Sequence, residues 1–302
     1  TQDTDIDRGI IRVEYVSPQH IPMRIRNSVR LDQYADYNLT HTRLNADQQY
    51  IHLARIDPVA GRRQGYEFRL DCCRIDLRNY FQTQTMASGI AVNASFFHIV
   101  QGDNSFLPVG PYRTKDFSIY DKLPAAYRRY CGVVGIDENG DIGIDSPQNE
   151  GRFVYILSVG PLLILDGQQM FDDDVLRRPE FQCTNDPQAH PTAHDCGRIS
   201  PGELWHASNP NPRMAIGIRD NNTVLIARVE GRGRRGAGMD MMQLTQLMSA
   251  YGCTDAINLD GGASAQMTWR VPGEKLVHVA GDDQFAISSY PVGNILAYVK
   301  RK

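Results

Sequence analysis

Asp260 ends a short apolar run and is followed at once by two glycines, in GCTDAINLDGGASAQM (252–267). A carboxylate in that place can serve as a nucleophile or a general base. Two glycines after a strand let a ligand approach the backbone and leave N–H groups for an anion. The same letters also fit an ordinary turn, because glycine reaches positive φ without steric cost. Asn258 lies two residues before Asp260, on the same face of a strand. Other polar residues stand where strands are expected to begin or end: Asn93 after GIAV, Arg213 before MAIG, and Glu230-Gly231-Arg232 after VLIARV. If those ends meet, two carboxylates, two arginines, an amide and a glycine-rich turn share one place. Carboxylates stabilise or trap an oxocarbenium-like centre. Arginines and free backbone N–H groups hold phosphate. The set suits a sugar joined to a phosphate.

Each residue also has a plainer use. Asp260 can cap its own turn, and Glu230 can pair with Arg232 or Arg234 in the basic stretch GRGRRGAG (231–238). Arg213 follows Asn-Pro-Asn-Pro and can lie on the surface, while Asn93 can satisfy buried backbone groups. Placement at strand ends is the bottom-up reason to read them together.

The elements that must position them are mostly strands. IIRVEYV (10–16) is a candidate strand, and YIHLARID (50–57) gives a clearer start, alternating as a half-buried strand does. GIAVN (89–93) reads as a short buried strand, and VGNILAYV (292–299) as a closing one. CGVVGIDENGDIGID (131–145) predicts a hairpin turning at Asn139-Gly140, and MAIGIRDNNTVLIARVEG (214–231) a second, turning at Asp220–Asn222. VYILSVGPLLIL (154–165) predicts two strands broken at Gly160-Pro161. One helix is well signalled. Asp240 with Gln243 has the spacing of a capping box, Leu244, Leu247, Met248 and Tyr251 share a face, and Gly252 supplies the stop. A weaker helix is expected around Leu77, Tyr80 and Phe81, ended by Gly89. Strands grouped in hairpins with few helices predict an α+β fold. Residues 1–49 read as an arm or ornament and residues 50–302 as the main domain.

The 302-residue chain carries a net charge of −3, with 41% hydrophobic and 22% charged residues, as an ordinary globular protein does. It lacks the basic balance that marks nucleic-acid partners. No run approaches the roughly 18 apolar residues of a membrane span. P-loop, dinucleotide, HExxH and G-x-S-x-G patterns are absent. The acidic runs Asp172–Asp174 and Asp282-Asp283 lack EF-hand spacing and read as solvated loops, so no cofactor is indicated; a structural divalent cation is allowed for but not indicated either. Six cysteines allow three disulfides. Cys183 and Cys196 bracket a loop of low apolar content and form the candidate pair, with a zinc site also using His190 and His194, or a plain loop, as the other readings. With a disulfide, and a leader presumed removed, the expected compartment is secreted, periplasmic or lumenal. Sequons occur at Asn38, Asn93 and Asn221, with Asn93 expected to be buried.

INLDGGASAQM resembles the motif N-L-D-G-G-G-S-S-T-M of the phosphodiester glycosidase family, and AVNASFF resembles its A-x-N-G-G-F-F. PRMAIG, VEGR and SVGPLLILDG resemble its P-R-T-A-I-G, its V-D-G-R and its glycine-proline strand, in the same order along the chain. The resemblance runs from about residue 50 to 299. It implies an α+β domain that hydrolyses the bond between a sugar's anomeric carbon and a phosphodiester, with a carbohydrate phosphodiester as partner. Matched residue by residue, Asp260, Asn258, Gly261, Gly262 and Ser264 fall on one motif, Asn93, Phe96 and Phe97 on a second, and Arg213, Gly231 and Arg232 on the rest. The chain departs from the pattern at Ala94-Ser95, Ala263, Ala265, Gln266 and Glu230. A Cβ at 94 and 263 is expected to narrow a backbone anion pocket. The expected roles are Asp260 as nucleophile or base, Glu230 as second carboxylate, and Asn93 orienting a sugar hydroxyl or water. Arg213, Arg232 and the Gly261-Gly262 N–H groups take the phosphate, with Ser95, Asn258 and Ser264 as further substrate contacts. A carbohydrate-binding protein and a phosphodiesterase cutting P–O are the alternatives.

Overall fold

A computed structural model describes residues 3–22, 49–99, 102, 106–115, 117–119, 132–170, 210–232, 236–279 and 291–302. Its strands pair antiparallel throughout the described residues. With strands numbered in chain order, the large sheet takes β1 (Thr4–Ile6), β2 (Ile11–Val16), β3 (Ile51–Ile56), β13 (Leu162–Leu165), β14 (Gln168–Gln169), β15 (Arg213–Arg219), β16 (Val224–Val229) and β17 (Cys253–Leu259). A second sheet holds β8 (Tyr112–Arg113), β9 (Ser118–Ile119), β10 (Gly132–Ile136), β11 (Ile142–Asp145) and β12 (Tyr155–Val159). A third holds β4 (Tyr66–Ile75), β5 (Met86–Asn93), β18 (Met267–Arg270), β19 (Val277–Val279) and β20 (Val292–Arg301). A small pair, β6 (Phe97–Ile99) and β7 (Phe106–Pro108), forms a ladder of its own against β4 and β20. The large sheet runs β1-β2-β3-β16-β15-β17-β13-β14, and the third runs β19-β18-β5-β20-β4.

The predicted hairpins form where their turn residues allow. Gly140 at φ +80 closes β10–β11, and Asn222 at φ +61 sits in the turn joining β15 and β16. The expected break at Gly160-Pro161 has a larger consequence than a kink. The chain leaves β12 in the second sheet and enters β13 in the large sheet across it. Residues 3–16 continue the large sheet, since β2 pairs with β3 from Ile11↔Ile56 to Val16↔Ile51.

Apolar side chains form four clusters among the described residues, the smallest of them Val133, Phe153 and Ile156. Val134, Leu157, Met214, Ile226, Val92 and Leu296 belong to a core shared by the three sheets. On the other face of the large sheet Ala215, Leu225, Ala227 and Ala256 pack against helix α3 (Met241–Ala250). A third cluster joins β5 and β20 to helix α2 (Tyr80–Thr83), and the short helix α1 (Pro58–Arg63) follows β3. Both faces of β15–β16–β17 are therefore buried, which explains their nearly unbroken apolar runs. Helix α3 starts on the capping box read from the sequence: Asp240 Oδ1 accepts from Gln243 N at 2.7 Å, and Gln243 Oε1 accepts from Asp240 N at 3.0 Å. Leu244, Leu247 and Met248 are buried, each contributing about 1.5–3 kcal/mol. No helix among the described residues is long and apolar enough to cross a membrane.

Three expectations need correction or fall elsewhere. Gly89 does not stop a helix. It lies inside β5 at φ +132, where a Cβ would come within 2.3 Å of the Tyr298 carbonyl. The disulfide seen joins the adjacent Cys72 and Cys73 in β4, while Cys253 is a buried thiol. Cys183, Cys196, His190, His194, Arg234, Asn38 and the two acidic runs lie outside the described residues. Asn93 is buried as expected, and Asn221 is exposed on its hairpin.

Because Gly89 meets backbone rather than a movable side-chain end, Gly89→Ala is expected to destabilise the protein by at least about 2 kcal/mol, read from urea unfolding midpoints.

Candidate active site

β17 delivers Leu259 to the inter-sheet core, and Asp260 begins a tight turn that returns to the third sheet. The turn is pinned at both ends by one side chain. Asn93 Nδ2 donates to the Asp260 carbonyl at 2.6 Å, and Asn93 Oδ1 accepts from Gln266 N at 3.0 Å. Asp260 N in turn donates to the Ala94 carbonyl at 2.8 Å. Asn93 is 1% exposed. It therefore does what a buried amide does for backbone groups, and the expectation that it orients a sugar hydroxyl gives way to a clamp.

The two glycines have separate reasons. Gly261 has an extended φ of −114°, but a Cβ there would lie 2.7 Å from the Pro212 carbonyl. Gly262 sits at φ +58, a conformation glycine adopts freely, with the Arg232 guanidinium beside it. The first permits close approach and the second permits the bend. The expected phosphate cradle from their N–H groups is not what forms. Gly262 N donates to Pro212 O at 2.9 Å, and Gly261 N donates to the Asp260 carboxyl.

Asp260 is the unusual carboxyl of the site. Desolvation pushes its pKa from the ordinary range to about 7, against hydrogen bonds from the Ser264 hydroxyl and the Gly261 N–H that favour the charged form. Ser264 thus bears on the carboxyl itself, where the sequence suggested a substrate contact. Asn258, 1% exposed, is tied down through Nδ2 to Gly160 O at 2.9 Å, beside the chain crossing between sheets. Its Oδ1 is buried with no hydrogen-bond partner.

The arginines divide in character. Arg213 is fully buried, far from the surface position its prolines allowed, and its Nε donates to Met239 O at 2.7 Å. Burial, opposed by Asp240 and aided by the neighbouring Arg232, lowers its pKa to about 9, so it stays a cation at neutral pH. Arg232 is part-exposed and holds a left-handed φ of +54°. Asn211 Oδ1 accepts from its Nε at 3.1 Å and its Nη2 at 2.5 Å. Asn211 and Asn294 hold residues of the candidate site and were missed by sequence reasoning. Asn294 Oδ1 accepts from Ser95 N at 2.6 Å, and its Nδ2 donates to Ser95 Oγ at 2.9 Å, so Ser95 is held within the protein. Their one signal was position, Asn211 two residues before Arg213 and Asn294 within the last apolar strand.

Glu230 does not join this group. Strand alternation places Arg213 with Ala215 on the helix-facing side of the large sheet, and Asn258 with Ala256. Arg228 and Glu230 follow Val224 and Ile226 on the inter-sheet side. Glu230 is 4% exposed and pairs with Arg228 at 2.8 Å. Ala94 is likewise buried in the inter-sheet core, so its Cβ narrows no anion pocket. Ala263 is part-exposed at the turn. Among the described residues no three His, Cys, Asp or Glu side chains converge as a metal ion would require.

Residues 88–299 match the family described as phosphodiester glycosidase. The match covers more than half of the sequence, and the chain belongs to that family. The fold is similar to the catalytic domain of zebrafish N-acetylglucosamine-1-phosphodiester alpha-N-acetylglucosaminidase, auto-inhibited by pro-peptide. That likeness has a TM-score of 0.56 at 16% identity and covers 84% of this chain and 78% of that one. It is also similar to a hypothetical protein from Synechocystis, with a TM-score of 0.53 at 14% identity over 83% of this chain and 59% of that one. A 56-residue stretch is 41% identical to the SPbeta prophage-derived uncharacterized protein YomE of Bacillus subtilis (strain 168), spanning 18% of this chain and 9% of that protein's length.

Asn93→Ala leaves two buried backbone groups of the turn without their partner. It is expected to cost about 2–4 kcal/mol in urea unfolding, more than a generic buried amide facing solvent on one side.

Proposed function

We propose that this protein hydrolyses the glycosidic bond of a sugar-1-phosphodiester, releasing free sugar and a phosphomonoester. The observation that carries the reading is Asp260, the one carboxyl at this turn among the described residues, raised to about 7 by desolvation and flanked by Arg232, in a phosphodiester glycosidase fold. An ordinary glycoside expels a basic alkoxide and needs a second carboxyl as acid. A phosphate leaving group is already anionic and weakly basic, so it departs with little proton donation. One carboxyl therefore suffices, which fits Glu230 standing on the opposite face of the sheet.

In the reaction the carboxylate of Asp260 removes a proton from water as the water oxygen bonds to the anomeric carbon. The bond from that carbon to the phosphate oxygen breaks, and its electron pair leaves with the phosphomonoester. Arg232 meets the growing phosphate charge, held in its fork by Asn211. Arg213 lies behind it as a buried second cation. Asn93, Asn258 and Ser264 hold the carboxyl and its strand in place. A carbohydrate phosphodiester as substrate and a secreted, periplasmic or lumenal location belong to the same proposal.

The test is turnover of a panel of sugar-1-phosphodiesters with product analysis. Free sugar plus phosphomonoester is expected, and Asp260→Asn is expected to lower kcat by about 10²–10⁴-fold. Sugar phosphate as product, or undiminished turnover in the variant, overturns the reading. Because the base must be ionised, kcat/KM should rise with pH through about 7.

A second readout needs no substrate. The folded state holds the Asp260 proton more tightly than the unfolded chain, so this group's contribution to stability is full below the ordinary carboxyl range. It is lost as pH rises from about 4 to about 7. Asp260→Asn removes that loss. The variant's Tm should match the parent near pH 4 and exceed it above pH 7.

A further inference from the structure

The inter-sheet face of β16 carries charges at the same end as the Asp260 turn, and the proposed chemistry uses none of them. Arg228 and Glu230 stand there, with His52 opposite Arg228 in the register of β3. Arg228 and His52 are 1% exposed and Glu230 is 4% exposed. Arg228 Nη1 lies 2.8 Å from Glu230 Oε1 and 3.4 Å from His52 Nδ1. Burying an ion pair is costly, and apolar residues of similar volume commonly do as well or better for stability. The preceding positions on this face, Val224 and Ile226, are apolar. Something other than packing therefore accounts for the pair.

The remaining edge of Arg228 shows what it holds. Its Nε donates to the Ala265 carbonyl at 2.8 Å. Ala265 closes the short 3₁₀ turn Gly262–Ser264, its own N–H donating to Gly262 O at 3.2 Å. The Ser264 hydroxyl from that turn donates to the Asp260 carboxyl. A continuous path of contacts leads from Glu230 through Arg228, Ala265 and Ser264 to Asp260.

We infer that Arg228 and Glu230 are positioning residues for Asp260: the ion pair fixes the Ala265 carbonyl, and the turn so fixed keeps the Ser264 hydroxyl on the Asp260 carboxyl. The inference rests on Asp260 being the reacting group. Glu230, placed among the catalytic carboxylates by its sequence position, acts through Arg228 and never touches the sugar. The other charged groups around the carboxyl, Arg232 beside Gly262, Arg213 beside Gly261 and Asp240 beyond Arg213, belong to the opposite face and are untouched by changes at 228 and 230.

Two measurements on the full chain test this: kinetics on a sugar-1-phosphodiester, and titration of the Asp260 carboxyl by carbon-13 NMR, assigned with Asp260→Asn. Glu230→Gln and Arg228→Met are each expected to lower kcat by about 10–100-fold through misplacement of the carboxyl, with KM within about twofold. The Asp260 midpoint should move upward from about 7 as the Ser264 hydrogen bond is lost. Ser264→Ala should shift it in the same direction, and adding Glu230→Gln to it should shift it no further. Azide or formate should not restore turnover in Glu230→Gly. Restoration by either would make Glu230 a catalytic carboxylate and overturn the inference, as would an unmoved midpoint in folded Glu230→Gln and Arg228→Met. If the single variants fail to fold, the paired change Arg228→Met with Glu230→Leu replaces the ion pair by apolar groups, and its midpoint gives the same reading. If the wild type turns over no phosphodiester, the glycosidase reading fails, while the NMR midpoint still decides whether the ion pair governs Asp260.

Discussion

The carboxamide of Asn93 joins the end of one sheet to the end of another. Apolar packing between the large and third sheets is non-directional and fixes their separation better than their relative position. The Asn93 bonds to Asp260 O and Gln266 N are directional, and they close the turn from both sides. Asp260 N answers with a bond to Ala94 O, so β5 and the end of β17 are tied by a small set of bonds with no water required between them. The remaining features of the site presuppose that junction. Pro212 O can meet Gly262 N, and Arg232 can lie over Gly262, only where the turn is held close.

Charge is sorted by the two faces of the large sheet. On one face a cation pair, Arg213 and Arg232, is supported by Met239 O, Asn211 and Asp240. On the other, Arg228 is neutralised by Glu230. Arg232 helps lower the pKa of Arg213, while Arg228 and Glu230 compensate each other. At the start of helix α3 the capping box satisfies the Gln243 N–H with the Asp240 carboxyl.

Hairpins, strand cores and helix α3 were legible because periodicity and turn residues act locally. The break at Gly160-Pro161 was legible too, but not that the chain changes sheets there, since that depends on partners far away in sequence. Gly89 read as a stop because a glycine before a strand looks the same whether it ends a helix or admits the Tyr298 backbone. Asp260, the glycines and both arginines were brought together in the sequence by their placement at expected strand ends. The use of the glycine N–H groups was not legible, because nothing in DGG announces the Pro212 carbonyl. Glu230 was grouped with Asp260 by its place at a strand end, although Arg228 two residues earlier, a charge inside an apolar run, pointed to the other face. Asn211 and Asn294 escaped because an asparagine's partner is set by tertiary approach.

Leu259 and Asp260 are neighbours that face different surroundings, and the large sheet has buried residues on both sides of β17. Losing or gaining one residue within Cys253–Leu259 would exchange every side chain between the two layers, carrying the carboxyl toward the core and an aliphatic group into the site. A lineage built on this sheet is free to vary chain length at the tips of its hairpins. Within the central strands its history must be written in replacements, because the alphabet can change there but the spacing cannot.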